Sequence, residues 1–417
     1  MTALQRPPLL PLDDALARLL AFAAPPLDTE SVPVGDADGR VLAQNVVSSL
    51  HVPPHDNSYM DGYAVRCADV ASPGVRLPVS QRIPAGTSGT LLQAGTAARI
   101  FTGAPVPSGA DAVVMQEDCV AESAGEGASS PGLVQVNMQP TPGQNIRRAG
   151  EDVARGDEVL SRGRRLGPAE LGLAASIGMA SLQVVRRPRV ALFSTGDELV
   201  MPGTVAPQDM PPGAIYNSNR FFLRALLRRL GCVVSDLGIV PDQREATVQA
   251  LREAAQSHDV ILTSGGVSVG EEDHIKPAVQ ALGTLDLWQI AIKPGKPFAH
   301  GRIGEAHFIG LPGNPVSSFV TFLILVRPFL LQLQGARDVA MTTVAARADF
   351  AWAKPDKRQE YLRVRRNAQG GLDLFPNQSS AVLTSAVWAD GLIDNPPGRA
   401  IAPGDIVRFV PFSEVLS

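Results

Sequence analysis

At 417 residues the chain exceeds what one compact core holds, since domains run to about 100–200 residues, and three or four domains are expected. With 45% apolar residues and 37 basic against 41 acidic side chains, it carries no global field for nucleic acid or anionic membrane, so electrostatic recognition has to be local. Cys67, Cys119 and Cys232 are odd in number and in no metal-ligand spacing, which argues against a disulfide framework or a zinc site and for a reducing cytoplasm.

The N-terminus, with Pro7, Pro8 and Pro11, lacks the basic start and apolar run of a secretory leader. Helical periodicity then covers Asp13 to Phe22, and a strand is expected from Gly39 to Val47. From His51 to Gln144 the texture changes to short β-rich pieces punctuated by Gly and Pro, among them Gly74 to Val79, Ala98 to Phe101 and Ala112 to Gln116, with Ala121 to Gly132 as a hairpin loop. A strand ending near Leu160 and a helix from Pro168 to Ile177 follow, Pro168 suiting a first helical position. This segment is expected to rejoin the N-terminal helix as one discontinuous domain.

Between Arg187 and Gly335 strand and helix alternate: Arg189 to Ser194, Asn219 to Leu230, Val233 to Val240, Arg244 to Ser257, Val260 to Ser264, Lys276 to Leu282, Leu287 to Ile292, Phe308 to Leu311 and Pro315 to Leu333. Such alternation predicts a doubly wound, mostly parallel α/β sheet. The apolar run Phe319 to Leu333 is interrupted by Arg327 and Pro328 and falls short of a membrane span of roughly 20 residues, so a buried helix is expected. Strands at Tyr361 to Arg365, Gly371 to Phe375 and Asp405 to Val410 predict a small C-terminal β domain. The fold class is thus α/β plus β, divided into residues 1–50 with 145–187, 51–144, 188–335 and 336–417.

The densest chemistry is Ile292-Lys293-Pro294-Gly295-Lys296-Pro297 followed by Leu311-Pro312-Gly313-Asn314-Pro315-Val316-Ser317. Two lysines held between rigid prolines, ahead of a loop that opens a helix, predict a fixed cationic pocket for an oxyanion. Ligands of open α/β sheets sit beyond strand ends, which singles out Ser194-Thr195-Gly196-Asp197-Glu198 and Thr263-Ser264-Gly265-Gly266-Val267-Ser268. Successive glycines let backbone N–H groups approach an anion and the serine hydroxyls add donors, although neither P-loop nor dinucleotide spacing is present. Glu198 and Asp273 suit a hard cation such as Mg²⁺. Asp197 reads equally as a helix cap, Asp242 as part of a capping box ahead of Arg244 to Ser257, and His274 as a local hydrogen-bonding residue.

In the β-rich segment, Asp56-Asn57-Ser58-Tyr59-Met60-Asp61-Gly62 and Ile100-Phe101-Thr102-Gly103 admit both turn chemistry and ligand contact. The ordered set DNSYMDGYAV, IFTGAPVPSGADAVVMQED, RRAGED, STGDEL, YNSN, ILTSGGVSVGEEDH, IKPGKPFA and GLPGNPVSS closely resembles the molybdopterin molybdenumtransferase family, of the MoeA and gephyrin E-domain type, over nearly the whole chain. The resemblance implies an elongated four-domain subunit that dimerises and whose α/β domain binds the pterin. It implies the final step of molybdenum cofactor biosynthesis, in which adenylyl-molybdopterin receives molybdate and releases AMP, with Mg²⁺ as the metal and the molybdopterin adenylyltransferase as a possible upstream partner.

By matching motifs, Asp61, Thr102, Asp152, Asp242, Lys293 and Lys296 are expected to carry catalysis. Thr195, Glu198, Ser264, Gly265, Gly266, Ser268, Pro294, Ser317 and Arg363 are expected to bind substrate, and Glu198 and Asp273 the metal. Tyr59 stands where smaller residues are common in the family and His300 where an aromatic is. A noncatalytic scaffold and the adenylyltransferase itself are the competing readings; retention of the charged set argues against the first, and the extra domains argue against the second.

Overall fold

The computed structural model describes residues 9–23, 26–122, 132–266 and 274–416. The central unit is a six-stranded sheet ordered Val233–Val240, Arg189–Thr195, Val260–Ser264, Ala306–Leu311, Pro297–Ile303, Thr284–Gln289. The first four strands are mutually parallel, and Pro297–Ile303 runs antiparallel to both of its neighbours, Ala306–Leu311 and Thr284–Gln289. The antiparallel edge is where the structure departs from the expected pattern, because Pro297–Ile303 does not read as a strand. Pro297 is tolerated at a first strand position, and glycine is required at Gly301, where a Cβ would stand 2.2 Å from the Thr284 carbonyl oxygen.

Within that hairpin His300 and His307 are buried side by side, Nε2 to Nδ1 at 3.3 Å, and Arg302 Nη1 lies 2.9 Å from His307 Nε2. His300 stacks on Phe22, with ring centroids 4.3 Å apart, so an imidazole fills an aromatic slot. Burial above all, then the neighbouring His307 and Arg302, pushes His300 down to about 3, and burial with Arg302 pushes His307 down to about 4.

Helices Asn219–Arg229, Arg244–Ser257, Ile275–Leu282 and Pro315–Leu333 cover the sheet. The last, 19 residues long, is mostly apolar and almost wholly buried, as a core helix should be. It is not broken at Arg327 and Pro328: a π turn at Phe322–Val326 precedes the proline and absorbs the missing backbone donor.

A second core gathers Leu42 and Val46 with Val153, Leu160, Leu166, Ala174 and Val184. Here Thr29–Pro33 pairs with Ser181–Val185, and Val46–Val47 with Glu158–Leu160, all antiparallel. The long strand expected at Gly39 to Val47 is reduced to that two-residue pairing and isolated bridges at Val41 and Leu42. Pro168 does open the helix Pro168–Ser176, where the Glu170 carboxylate accepts the Gly167 N–H at 3.0 Å. The N-terminal helix Leu12–Phe22 packs its buried Leu12, Ala15 and Leu19 into the core around Arg327–Leu333.

The chain leaves the second core near His51 and returns near Asp152, with Val52 and Val153 bridged at the crossing. Between these points lies a six-stranded sheet ordered Ala112–Met115, Gly62–Val65, Ala97–Ile100, Val75–Ile83, Leu133–Val136, Cys119–Glu122. Most of the hairpin loop expected at Ala121 to Gly132 lies outside the described residues. The C-terminal sheet runs Ile292–Lys293, Gln359–Arg366, Gly391–Asn395, Ile406–Pro411, Val344–Arg347, with Leu372–Leu374 alongside Gln359–Arg366. Its first strand comes from the lysine loop.

Candidate active site

Strands Arg189–Thr195, Val260–Ser264 and Ala306–Leu311 end level, with Ser194 beside Ser264 and Ser264 beside Leu311. Beyond these ends opens a cavity of about 590 Å³ lined by Thr195, Glu198, Asn217, Asn219, Ser264 and Gly265, among others. Gly196, at φ +144, lets the chain fold Glu198 back over the strand end, because a Cβ there would meet Glu198 Oε2 at 2.5 Å. Asn219 Nδ2 donates to Ser264 Oγ at 2.8 Å and to the Gly313 carbonyl at 2.7 Å. One side-chain amide therefore ties a helix start to both ligand loops. The motif Tyr216-Asn217-Ser218-Asn219 is visible in the sequence, but its structural part is not, since both bonds of Asn219 reach residues more than 40 positions away.

A second cavity, of about 380 Å³, is lined by Lys293, Pro294, Lys296, Ser317, Arg358 and Ser379, among others. Gly295, at φ +109, seats the loop on the core helix, where a Cβ would stand 2.2 Å from Thr321 Oγ1. Lys293 Nζ lies between Asp356 Oδ2 and Glu360 Oε1. Glu360 is only 1% exposed, and its other oxygen accepts Trp352 Nε1 at 2.8 Å and the Asp356 N–H at 3.1 Å. Hydrogen bonds from Arg358, with that guanidinium's charge and Lys293's, hold the Asp356 carboxyl well below the usual range despite partial burial. Lys296 is half-buried and makes no ion pair among the described residues, leaving it the cation with charge to spare for an anion. Arg358 and its carboxylate partners have no sequence signal of their own.

The two cavities adjoin one wall. Ala381 and Pro315 line the first, Ser379, Ser380 and Ser317 the second, and the Val316 N–H donates to the Ser380 carbonyl between them at 2.9 Å. Arg363, expected among the substrate-binding residues, stands behind this wall and lines neither cavity. Its guanidinium is 1% exposed and donates to the carbonyls of Tyr361 (2.9 Å) and Ser379 (3.3 Å) and to Ser385 Oγ (3.2 Å). Burial lowers it to about 10, still charged at neutral pH.

The remaining expected residues stand elsewhere. Asp61 Oδ1 accepts both the N–H and the hydroxyl of Thr102, each at 2.7 Å, in the inserted sheet. These bonds, helped by Arg99's charge, hold Asp61 below the ordinary carboxylate range. Asp152 is exposed beside the Val52 crossing, where its N–H donates to the Val52 carbonyl at 3.0 Å. Asp242 lies in the turn before Arg244–Ser257, whose cap is Gln243 without a side-chain bond, so the expected capping box is not formed. None of Asp61, Thr102, Asp152 and Asp242 lines either cavity of this subunit.

Gly266, at φ +67, follows Gly265 at the first cavity's rim, while Ser268 and Asp273 lie outside the described residues. No cluster of three metal-ligating side chains occurs among the described residues. Mg²⁺ uses one or two carboxylates and completes its shell with waters and substrate phosphates, so Glu198 beside the hydroxyls of Thr195 and Ser264 is a fitting donor set of hard oxygens.

Three family models match the chain in succession: the MoeA N-terminal region (domain I and II) at residues 10–178, a probable molybdopterin binding domain at 191–332, and the MoeA C-terminal region (domain IV) at 345–412. The molybdopterin molybdenumtransferase of Haemophilus influenzae is 42% identical over 98% of this chain and 100% of its own length. The molybdopterin molybdenumtransferase 2 of Mycobacterium tuberculosis is 39% identical over 88% and 90%. A crystal structure of the molybdopterin biosynthesis MoeA protein of Pyrococcus horikoshii superposes with a TM-score of 0.83 at 27% identity, covering 97% of this chain and 100% of that one. Matched from its first core to its last strand, the chain belongs to the molybdopterin molybdenumtransferase family.

Proposed function

We propose that the protein performs the last step of molybdenum cofactor biosynthesis, transferring molybdenum from molybdate to adenylyl-molybdopterin with release of AMP. The observation that carries this reading is the shared wall at 379–381, which sets a hydroxyl- and amide-lined cavity next to a lysine-lined one, as a phosphorylated pterin and a tetrahedral dianion require. Thr195, Asn219, Ser264 and Gly265 bind and orient the pterin phosphate. Lys296 holds the oxyanion and stabilises the charge that develops on it, while Lys293, pinned by two carboxylates, fixes the loop. Glu198, together with Asp273, would hold Mg²⁺, which polarises the phosphoanhydride.

Asp61, Thr102 and Asp152 complete the site, in this reading, from a second copy of the chain related by a two-fold axis. That arrangement accounts for catalytic groups that line neither cavity of their own subunit. The Cys67, Cys119 and Cys232 thiols are free, in keeping with a cytoplasmic setting, and the adenylylated substrate calls for an upstream adenylyltransferase. The test is incubation of the purified protein with adenylyl-molybdopterin, Mg²⁺ and molybdate, following AMP by chromatography. Molybdate-dependent AMP release is expected, and release indifferent to molybdate would sink the reading. For the two-fold arrangement, a monomeric mass in light scattering at micromolar protein would do the same.

A further inference from the structure

We propose that Arg99 is a positioning residue for the reaction, one guanidinium that locks the Asp61–Thr102 pair into a single geometry. The inference rests on the reading that this pair takes part in catalysis.

Three segments of the inserted sheet meet at Asp61: its own strand, the strand leading to Thr102, and the strand leading to Gln116. Gly62 sits between Ile100 and Met115 in the ladder, and Tyr63 is opposite Arg99. From that position Arg99 reaches across all three. Its Nη1 donates to the Gly62 carbonyl at 3.1 Å and its Nη2 to Gln116 Oε1 at 2.6 Å. Gln116 in turn donates its backbone N–H to the Asp61 carbonyl at 3.0 Å. The peptide carbonyls on both sides of the Asp61–Gly62 bond are therefore held, one by Arg99 directly and one through Gln116.

The other end of the pair is held by packing. The Arg99 guanidinium lies 4.7 Å from the ring centroid of Phe101, the residue before Thr102, and 5.1 Å from that of Tyr63. Arg82 closes the Phe101 ring at 4.6 Å. A planar fork does both tasks, where an ammonium would keep the charge and lose the paired geometry. With Asp61 Oδ1 taken by Thr102, Oδ2 accepts no hydrogen bond among the described residues, so the carboxylate presents one oriented, ionised oxygen to whatever approaches.

The experiment compares Arg99→Gln, Arg99→Lys, Asp61→Asn and the double variant Asp61→Asn/Arg99→Gln for molybdate-dependent AMP release, with thermal melting as the control for folding. Arg99→Gln is expected to lower kcat about 10- to 100-fold, the range for residues that orient a reactive group from behind, with KM within about twofold. Its acid limb should move to higher pH, because removing a nearby cation raises a carboxyl. Arg99→Lys should fall between parent and Arg99→Gln, and the double variant should be no slower than Asp61→Asn alone. Full kcat and an unmoved pH profile in Arg99→Gln, with Asp61→Asn impaired, would overturn the proposal, as would additive losses in the double variant. Full activity in Asp61→Asn would instead overturn the reading beneath it.

Discussion

Lys293 Nζ lies 3.3 Å from Glu360 Oε1 and 3.4 Å from Asp356 Oδ2, whereas Lys296, three residues along the same loop, has no ionic partner among the described residues. Two lysines that look equivalent in sequence thus have different settings: one is paired with two carboxylates, the other has no ion pair among the described residues.

Lys296→Ala should lower kcat for AMP release on the order of 10²–10³-fold, the usual cost of removing one donor to a developing oxyanion, while its melting temperature stays at the parent's. Lys293→Ala should also destabilise the protein, by about 1–2 kcal/mol, since it strands buried Glu360 but Lys293 is itself 40% exposed. Steady-state kinetics and urea titration of both variants separate the two roles; equal kinetics for parent and Lys296→Ala would remove Lys296 from the mechanism.

Gly295→Ala introduces a Cβ 2.2 Å from Thr321 Oγ1 at a φ of +109. A loss of about 1–3 kcal/mol is expected from the backbone alone. Adding Thr321→Ala should recover the steric part and leave the backbone part, which chemical denaturation of the pair would resolve.

Acid stability should depend on the histidine pair. His300 and His307 titrate near 3 and 4 when folded, against an ordinary value of 6.5, so the unfolded chain binds more protons than the folded one between those limits. Stability therefore falls as pH drops below about 6.5 and levels off only below the folded values. His300→Phe removes one such proton uptake and keeps the stack on Phe22. Its unfolding free energy from urea titration should fall less steeply with acid, by roughly 1.4 kcal/mol per pH unit at most. Parallel slopes would show that His300 is not the group responsible.

Metal dependence should track Glu198. Glu198→Gln is expected to move the Mg²⁺ titration of AMP release to concentrations roughly 10-fold higher, because an amide oxygen is a poorer ligand for a hard cation. Asp273→Asn should act in the same direction. Superimposable Mg²⁺ curves for Glu198→Gln and the parent would assign the carboxylate to substrate orientation alone.

What could be seen in the sequence was whatever local periodicity encodes. Val233–Val240, Arg244–Ser257 and Val260–Ser264 stand within the limits their apolar spacing predicts. Thr195, Glu198, Ser264 and Gly265 do line one cavity, since loops beyond parallel strands must converge. The strand Pro297–Ile303 escaped notice because its proline, glycine and histidine positions are explained only by a neighbouring strand and a stacked ring. Glu360, Arg358 and Asn219 escaped for the same reason: their partners are distant in the chain, and polar side chains carry no period that reveals which of them will be buried. Arg363 shows the converse, a residue type suited to anions that burial turned inward.

The pairing of Ile292 with Gln359 and Lys293 with Glu360 makes the lysine segment a strand of the C-terminal sheet although it departs from the α/β one. A cut near residue 335, where the chain looks divisible, would therefore sever the lysines from their counter-ions. The excised α/β fragment could keep the strand-end cavity and still lose its anion locus, so the smallest competent piece of this protein is wider than its modular seams suggest.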